Sequence, residues 1–330
     1  SVYVAGMIKH YFASGNASRG FFSLYESSLE NLKKVIILKG GPGTGKSTLM
    51  KEIGEVWAEK GYDIEFMHSP FDPDAIEGVK ILGGLNVAVV NGTSPNNIEP
   101  KAPGAIEEYV NLGEAWDSEK LTLQKEQILH YNNVINQWME KAYAAFAEAL
   151  RVHDDWEKIY IESMDFEQAD LLTKKLVQKF FGFIALNKTP TIKHRFLGAA
   201  TPKGAVDFVP NLTEELPKRY FIKGRPGSGK STMLKKIAAA AETKGLDVEI
   251  YHCGFDPHSI DMVIVRELGI AIFDSTAPHE YFPSREGDEI LDLYGTIIED
   301  GTDEIFADKI EGIAKQYKDL MKEATSYLAE

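Results

Sequence analysis

The sequence predicts an α/β protein built from two copies of one unit. Each copy is expected to be a three-layer αβα sandwich around a mainly parallel sheet, and each carries a long helical extension. Three observations predict this. A nine-residue stretch occurs twice, as Gly-Gly-Pro-Gly-Thr-Gly-Lys-Ser-Thr at 40–48 and as Gly-Arg-Pro-Gly-Ser-Gly-Lys-Ser-Thr at 224–232. Each stretch follows a short apolar run that reads as a buried strand (35–38, 220–222) and precedes an amphipathic helix (49–60, 233–244). Finally, the chain repeats itself well beyond these stretches. Lys46 and Lys230 are 184 positions apart, and the same offset pairs Ile8-Lys9-His10 with Ile192-Lys193-His194, His68 with His252, and Phe71-Asp72-Pro73 with Phe255-Asp256-Pro257. After a one-residue gap the offset of 183 pairs Thr93 with Thr276, Pro95 with Pro278 and Pro100 with Pro283. This self-similarity indicates an internal duplication.

The elements follow in order within each copy. A short strand (8–12, 192–196) leads through a turn-rich connection to the strand, loop and helix just described. Gly61 and Gly245 stop those helices. A second strand follows (63–68, 247–252), then a third (87–90, 270–273). Strands alternating with helices argue for parallel pairing with both faces covered. The expected divisions are 1–117 and 185–302 for the two copies, with 118–184 a helical hairpin and 303–330 the extension of the second copy. In the extensions, Ile128, Tyr131, Ile135, Trp138, Ala142, Ala145 and Ala149 recur at alternating spacings of three and four. So do Ile310, Ile313, Tyr317, Leu320, Ala324 and Tyr327. Such a seam seeks another helix. A helix over 118–150 would be about 50 Å long. A second helix (155–181) could fold back on it, and the last helix could pair with it. These arms would act as a lid, bind a protein partner, or simply pack.

Both nine-residue stretches fit G-x-x-x-x-G-K-[ST], a phosphate-binding loop. Its glycines let successive N–H groups point at phosphate oxygens, and the helix that follows adds its positive end. The candidate nucleotide contacts are Gly41, Gly43, Thr44, Gly45, Lys46, Ser47 and Thr48 in the first loop. In the second they are Arg225, Gly227, Ser228, Gly229, Lys230, Ser231 and Thr232. Lys46 and Lys230 would reach the β- and γ-phosphates, and Ser47 and Ser231 would ligate Mg²⁺. A carboxylate near the ion is supplied by Asp274, at the end of Ile270-Ala271-Ile272-Phe273. The first copy has Asn91 there, which lacks the charge. The second loop is therefore expected to be the more competent. Ser275 and Gly92 stand where a hydrolytic glutamate is common, so Asp256 (with Asp72 in the first copy) becomes the candidate for orienting an attacking hydroxyl. Asp followed by Pro also reads as a helix N-cap.

Several further groups are candidates with structural alternatives. His68 and His252 could touch a phosphate or be held by ordinary hydrogen bonds. Arg225 and Arg285 could neutralise transferred charge or be solvated, and Lys101 stands near the place of Arg285. Arg19 and Lys203 align, and His279 aligns with Asn96. No grouping has zinc-like spacing. Asn187-Lys188-Thr189-Pro190 lacks the aspartate that would read guanine, so ATP is the default nucleotide.

The 330 residues carry a net charge of −14, which argues against nucleic-acid and anionic-membrane partners. The single Cys253 suits a reducing compartment, and no apolar run spans a bilayer. Residues 1–6 show no basic stretch ahead of an apolar core. A cytoplasmic protein is expected.

On these motifs both halves resemble the P-loop NTPase superfamily. With Ile-Lys-His before each loop, Phe-Asp-Pro after each second strand and Asp-Ser-Thr-Ala-Pro-His in the second copy, the whole is similar to a bacterial family of tandem P-loop proteins. That family is described only in general terms, as an ATPase or nucleotide kinase. The resemblance implies nucleotide binding and leaves the substrate open. Two functions follow as expectations: Mg-ATP hydrolysis or phosphoryl transfer, mainly at the second loop, or a nucleotide-dependent switch whose arms engage a partner.

Overall fold

The computed structural model describes residues 4–18, 20–41, 44–93, 106–112, 125–276, 279–293 and 301–329. Arg19, Gly43, Pro95, Asn96, Pro100, Lys101 and Pro278 lie outside them, as does the expected helix start at 118–124. The first half runs β1 (Ile8–Phe12), a hairpin of β2 (Ser14–Ala17) and β3 (Gly20–Ser23), α1 (Tyr25–Ser28), β4 (Lys34–Lys39), α2 (Lys46–Glu59), β5 (Ile64–His68), β6 (Ile76–Ile81), β7 (Val87–Asn91) and β8 (Glu107–Asn111). Helices α3 (Lys125–Ile161) and α4 (Phe166–Phe181) follow. The second half runs β9 (Ile192–Phe196), β10 (Gly198–Thr201), β11 (Gly204–Asp207), α5 (Val209–Leu212), β12 (Lys218–Lys223), α6 (Lys230–Thr243), β13 (Val248–His252), β14 (Ile260–Val265), β15 (Ile270–Asp274) and β16 (Asp288–Asp292). Helices α7 (Thr302–Ile305) and α8 (Ala307–Ala329) close the chain.

Twelve strands form one sheet in the order β16-β12-β15-β14-β13-β9-β1-β5-β6-β7-β4-β8. Read outward from the β9–β1 seam, the two halves have the same order. The sheet is mixed, with parallel pairings in the majority, as the sequence reading expects. Six of its pairings are parallel and five antiparallel. Strands β6 and β14 make the difference, because each runs antiparallel to both of its neighbours. In β6 the hydrophobic run is broken by Glu77 and Lys80, yet both are buried. Tyr25 donates to Glu77 at 3.1 Å, and Lys80 pairs with Glu65 at 3.1 Å. Burial of these polar groups is tolerable only because partners from distant sequence satisfy them.

The halves share one core. Tyr11, Val35, Ile37 and Val90 cluster with Leu197, Phe221, Ile264 and Phe273 on one face of the sheet. The other face is covered separately, by α2 over the first half and by α6 with α4 over the second. Across the seam the Arg195 side chain is 2% exposed. It donates to Glu65 at 2.8 Å and pairs with Glu249 at 3.4 Å, and its guanidinium lies 4.2 Å from the Tyr11 ring centre. Glu65 is fully buried, which alone would raise its pKa, but Arg195 and Lys80 hold it well below the usual carboxylate range.

In place of the expected hairpin of 118–184, the described helices α3 and α4 pack against other elements. Helix α4 begins at an N-cap, where Asp165 accepts from the Gln168 N–H at 3.1 Å. Its Leu176, Phe180 and Phe181 enter the second-half core beside Tyr220, Met233 and Leu234. The partner of α3 is α8, through Ala142, Ala145, Phe146 and Ala324, with Trp138 against Tyr327 at 5.8 Å. Further along, Ile159 and Tyr160 meet Ile310 and Ile313, so the two helices run antiparallel. Ile135, expected in the seam, is 53% exposed.

Candidate functional site

Each phosphate-loop motif joins a central strand to a helix. Strand β4 sits between β7 and β8, and β12 between β15 and β16, with parallel pairing throughout. Parallel neighbours bring the ends of β7 and β15, Asn91 and Asp274, to the same edge as the loops. The glycine before each helix is left-handed, Gly45 at φ 83° and Gly229 at φ 85°. A side chain would be strained there, which fixes the last glycine of the motif. The first backbone bonds of the helices are Leu49 N–H to Gly45 O (3.0 Å) and Met233 N–H to Gly229 O (2.9 Å). The N–H groups of residues 46–48 and 230–232 therefore precede the helical ladder and form an anion-binding end.

In the second loop Lys230 Nζ donates to Gly224 O at 2.9 Å and to Thr276 Oγ1 at 3.3 Å, and lies 3.6 Å from Asp274 Oδ1. In the first, Lys46 Nζ donates to Gly40 O and to Gly41 O at 3.1 Å, and burial lowers its pKa. The two serines are held alike. Ser47 Oγ accepts from Ile76 N–H at 2.8 Å and Ser231 Oγ from Ile260 N–H at 2.9 Å. Each hydroxyl thus has a fixed position and a lone pair to spare. Asn91 and Asp274 occupy equivalent turns, accepting from Thr93 Oγ1 (2.6 Å) and Thr276 Oγ1 (2.7 Å) respectively. The two loops thus differ at this position in charge rather than in geometry. Thr44 Oγ1 donates to Gly41 O at 2.9 Å, whereas the buried Ser228 Oγ has no partner among the described residues. Ready N–H groups, a lysine, a serine and an orphan hydroxyl fit a phosphate group and a hydrated divalent cation.

Other candidates fall elsewhere. The Asp-Pro segments do not cap helices. Asp72 and Asp256 instead close tight turns, accepting from Asp74 N–H and His258 N–H at 3.1 Å each, and those turns lead into β6 and β14. The turns aim Ile76 and Ile260 at the serines. His68 and His252 bond the carbonyls of Pro73 and Pro257 at 2.6 Å. Arg285 is consumed by the carbonyls of Thr213, Glu214 and Leu216 at 2.6–2.8 Å. His279 bonds Asp207 at 2.8 Å; burial alone would lower its pKa, and the carboxylate raises it overall. Lys203 pairs with Asp74 at the surface.

Sequence reasoning missed Asp261. Burial first, and Asp274 second, push its pKa up to about 7, with Lys230 and His279 acting in the opposite direction. Its alignment with Glu77 was the available signal, but nothing in the string placed it beside Asp274. The arm across the second loop was also unforeseen. A side-chain carbon on Gly227 would come 2.3 Å from the Glu157 carbonyl of α3, and one on Gly229 would come 3.4 Å from Met164. Asp303 accepts from Tyr160 Oη at 2.5 Å and from Arg225 Nε at 3.3 Å, which ties α3, α7 and the loop together. On α3, ligand atoms of His153, Asp154 and Glu157 lie within 4.8 Å of one another.

Residues 22–70 match the sequence model of the AAA domain family. The matched stretch includes β4, the first phosphate loop, α2 and β5. An AAA domain is a P-loop nucleotide-binding domain, so the match implies nucleotide binding for this region. No curated protein and no solved structure matches the chain. No helix among the described residues is long and apolar enough to cross a membrane.

Proposed function

We propose that the chain binds Mg-ATP at both phosphate loops and hydrolyses it, or transfers its terminal phosphoryl group, mainly at the second. The observation that carries this is the approach of Lys230 to Asp274 at 3.6 Å, beside Ser231, with neutral Asn91 at the corresponding place in the first loop. The N–H groups of Lys230, Ser231 and Thr232 would hold the phosphates. Lys230 would neutralise the β- and γ-oxygens, and Ser231 and Asp274 would hold Mg²⁺. The ion would supply Lewis-acid charge neutralisation at the transferring phosphoryl group. Asp261, next in chain to the residue that positions Ser231, would accept a proton once ionised. The equal strand orders on either side of the seam, with the repeated loops, support a duplication whose units end near 117 and begin again near 185. The chain's acidity speaks against nucleic acid as the phosphoryl acceptor, and its one cysteine suits a reducing, cytoplasmic setting.

A second reading is favoured by one specific observation, the lodging of α3 on the second loop. In that reading α3 and α8 are a lid whose position reports nucleotide state to a protein partner, with little turnover. Phosphate release from Mg-ATP decides between them. Steady release that Lys230→Ala abolishes and Lys46→Ala leaves intact is expected. The reverse pattern would invert the assignment, and nucleotide binding with no release would favour the lid as a switch.

A further inference from the structure

A cavity of about 440 Å³ opens between the halves on the first-half side of the seam. Ile8, Ile76 and Val206 give it apolar walls, and His10 and His68 also line it. Its charged lining residues balance, Lys51 and Lys203 against Glu55 and Asp74, and Lys203 is already paired with Asp74.

The two imidazoles form a chain of bonds with one possible proton arrangement. His68 Nδ1 lies 2.6 Å from the Pro73 carbonyl, which can only accept, so this nitrogen carries the proton. Burial lowers the pKa of both rings, that of His10 to about 4, so each is neutral at pH 7 with a single N–H. His68 Nε2 is then bare and accepts from His10 Nδ1 at 2.7 Å. That leaves His10 Nε2 as a bare acceptor with no partner among the described residues. The ring cannot easily turn away, since it is stacked between Phe66 and Phe208 with centroids 5.5 Å from each. A fixed acceptor in an apolar, charge-balanced cavity selects a donor on an uncharged body.

We propose that this cavity binds a small uncharged molecule with an apolar body and a single hydroxyl or N–H donor, received by Nε2 of His10. The site is separate from the phosphate loops but touches the first one, because the wall residue Ile76 donates its N–H to Ser47 Oγ at 2.8 Å. The second half carries the same chain of bonds, His194 to His252 at 2.8 Å and His252 to the Pro257 carbonyl at 2.6 Å, and so provides an internal control.

The test uses the full chain labelled with ¹⁵N at histidine, with phenol and indole as probes. Before addition, His10 is expected to show a bare Nε2 and a protonated Nδ1. Saturable addition of either probe should shift His10 Nε2 and leave His194 unmoved. Toluene, of similar body but without a donor, should bind about tenfold more weakly. Val206→Trp, which adds bulk at a lining residue other than the histidines, should abolish the response while the two-histidine signature persists. His10→Phe should lose the binding measured by calorimetry. No saturable shift at His10 with either probe at millimolar concentration would overturn the proposal, as would equal affinity for toluene or an equal response at His194.

Discussion

The two phosphate loops use one backbone solution and differ in what surrounds it. Both have a left-handed glycine before the helix and a serine fixed by an N–H from the start of an antiparallel strand. Beside the first loop stands Asn91, and a side-chain carbon on Gly45 would meet nothing within 4 Å among the described residues. Beside the second stand Asp274 and the partly buried Asp261, and α3 with α7 lies against it. Backbone geometry alone therefore does not distinguish the two loops. Charge and cover distinguish them, and both come from residues distant in sequence from the motif.

Exchanging the charge should have the largest effect. Asp274→Asn is expected to lower turnover at the second loop by about a hundredfold, since the charge proposed to hold the ion is lost. Asn91→Asp should raise Mg-dependent turnover in a Lys230→Ala background. If both variants leave phosphate release unchanged, the charge difference does not separate the loops.

Cover comes next. Asp303→Asn removes the charge that ties Arg225 to α3 and α7. In a Lys46→Ala background, where only the second loop binds, nucleotide affinity is expected to rise about tenfold, corresponding to about 1.4 kcal/mol. Equilibrium dialysis measures this, and an unchanged or weaker affinity would mean that Asp303 is not a latch.

A third comparison sets Gly227→Ala against Gly45→Ala. Both positions have positive φ, so each variant should lose about 1 kcal/mol from backbone strain. Only Gly227→Ala also drives a carbon against the Glu157 carbonyl. Thermal unfolding should show the larger loss at Gly227, and faster proteolysis of α3 should accompany it. Equal losses would mean that the arm yields without cost.

The last comparison concerns pH. Asp261 has a folded pKa of about 7 against an ordinary 3.8, so the folded chain keeps a proton that the unfolded chain has released between these values. That contribution to stability is complete below about pH 4 and is lost as pH rises through 7. Asp261→Asn should remove it. The difference in stability between wild type and variant should then change with pH by at most about 1.4 kcal/mol per unit across that window. A difference independent of pH would place the Asp261 pKa at its ordinary value.

Much of this was legible in the sequence. The loops, the strands and helices beside them, and the contrast of Asn91 with Asp274 follow from local pattern, because glycine conformation and apolar periodicity act over a few residues. The identity of β6 did not follow, since Glu77 and Lys80 interrupt its apolar run and only the fold supplies Tyr25 and Glu65 to hold them. Arg285 read as a candidate catalytic cation, and only the fold turns it onto three carbonyls behind α5. Helix α4 was expected on α3, yet Leu176 and Phe180 found a larger apolar surface beside α6. By itself the sequence determined two phosphate-loop motifs and which of them carries a carboxylate, because each depends on short contiguous strings. The tertiary structure alone decided that one sheet joins the halves through Arg195, that α3 lies on the second loop, and that Asp261 is partly buried beside Asp274. Those facts depend on which distant surfaces meet when water is excluded, and no local string encodes that meeting.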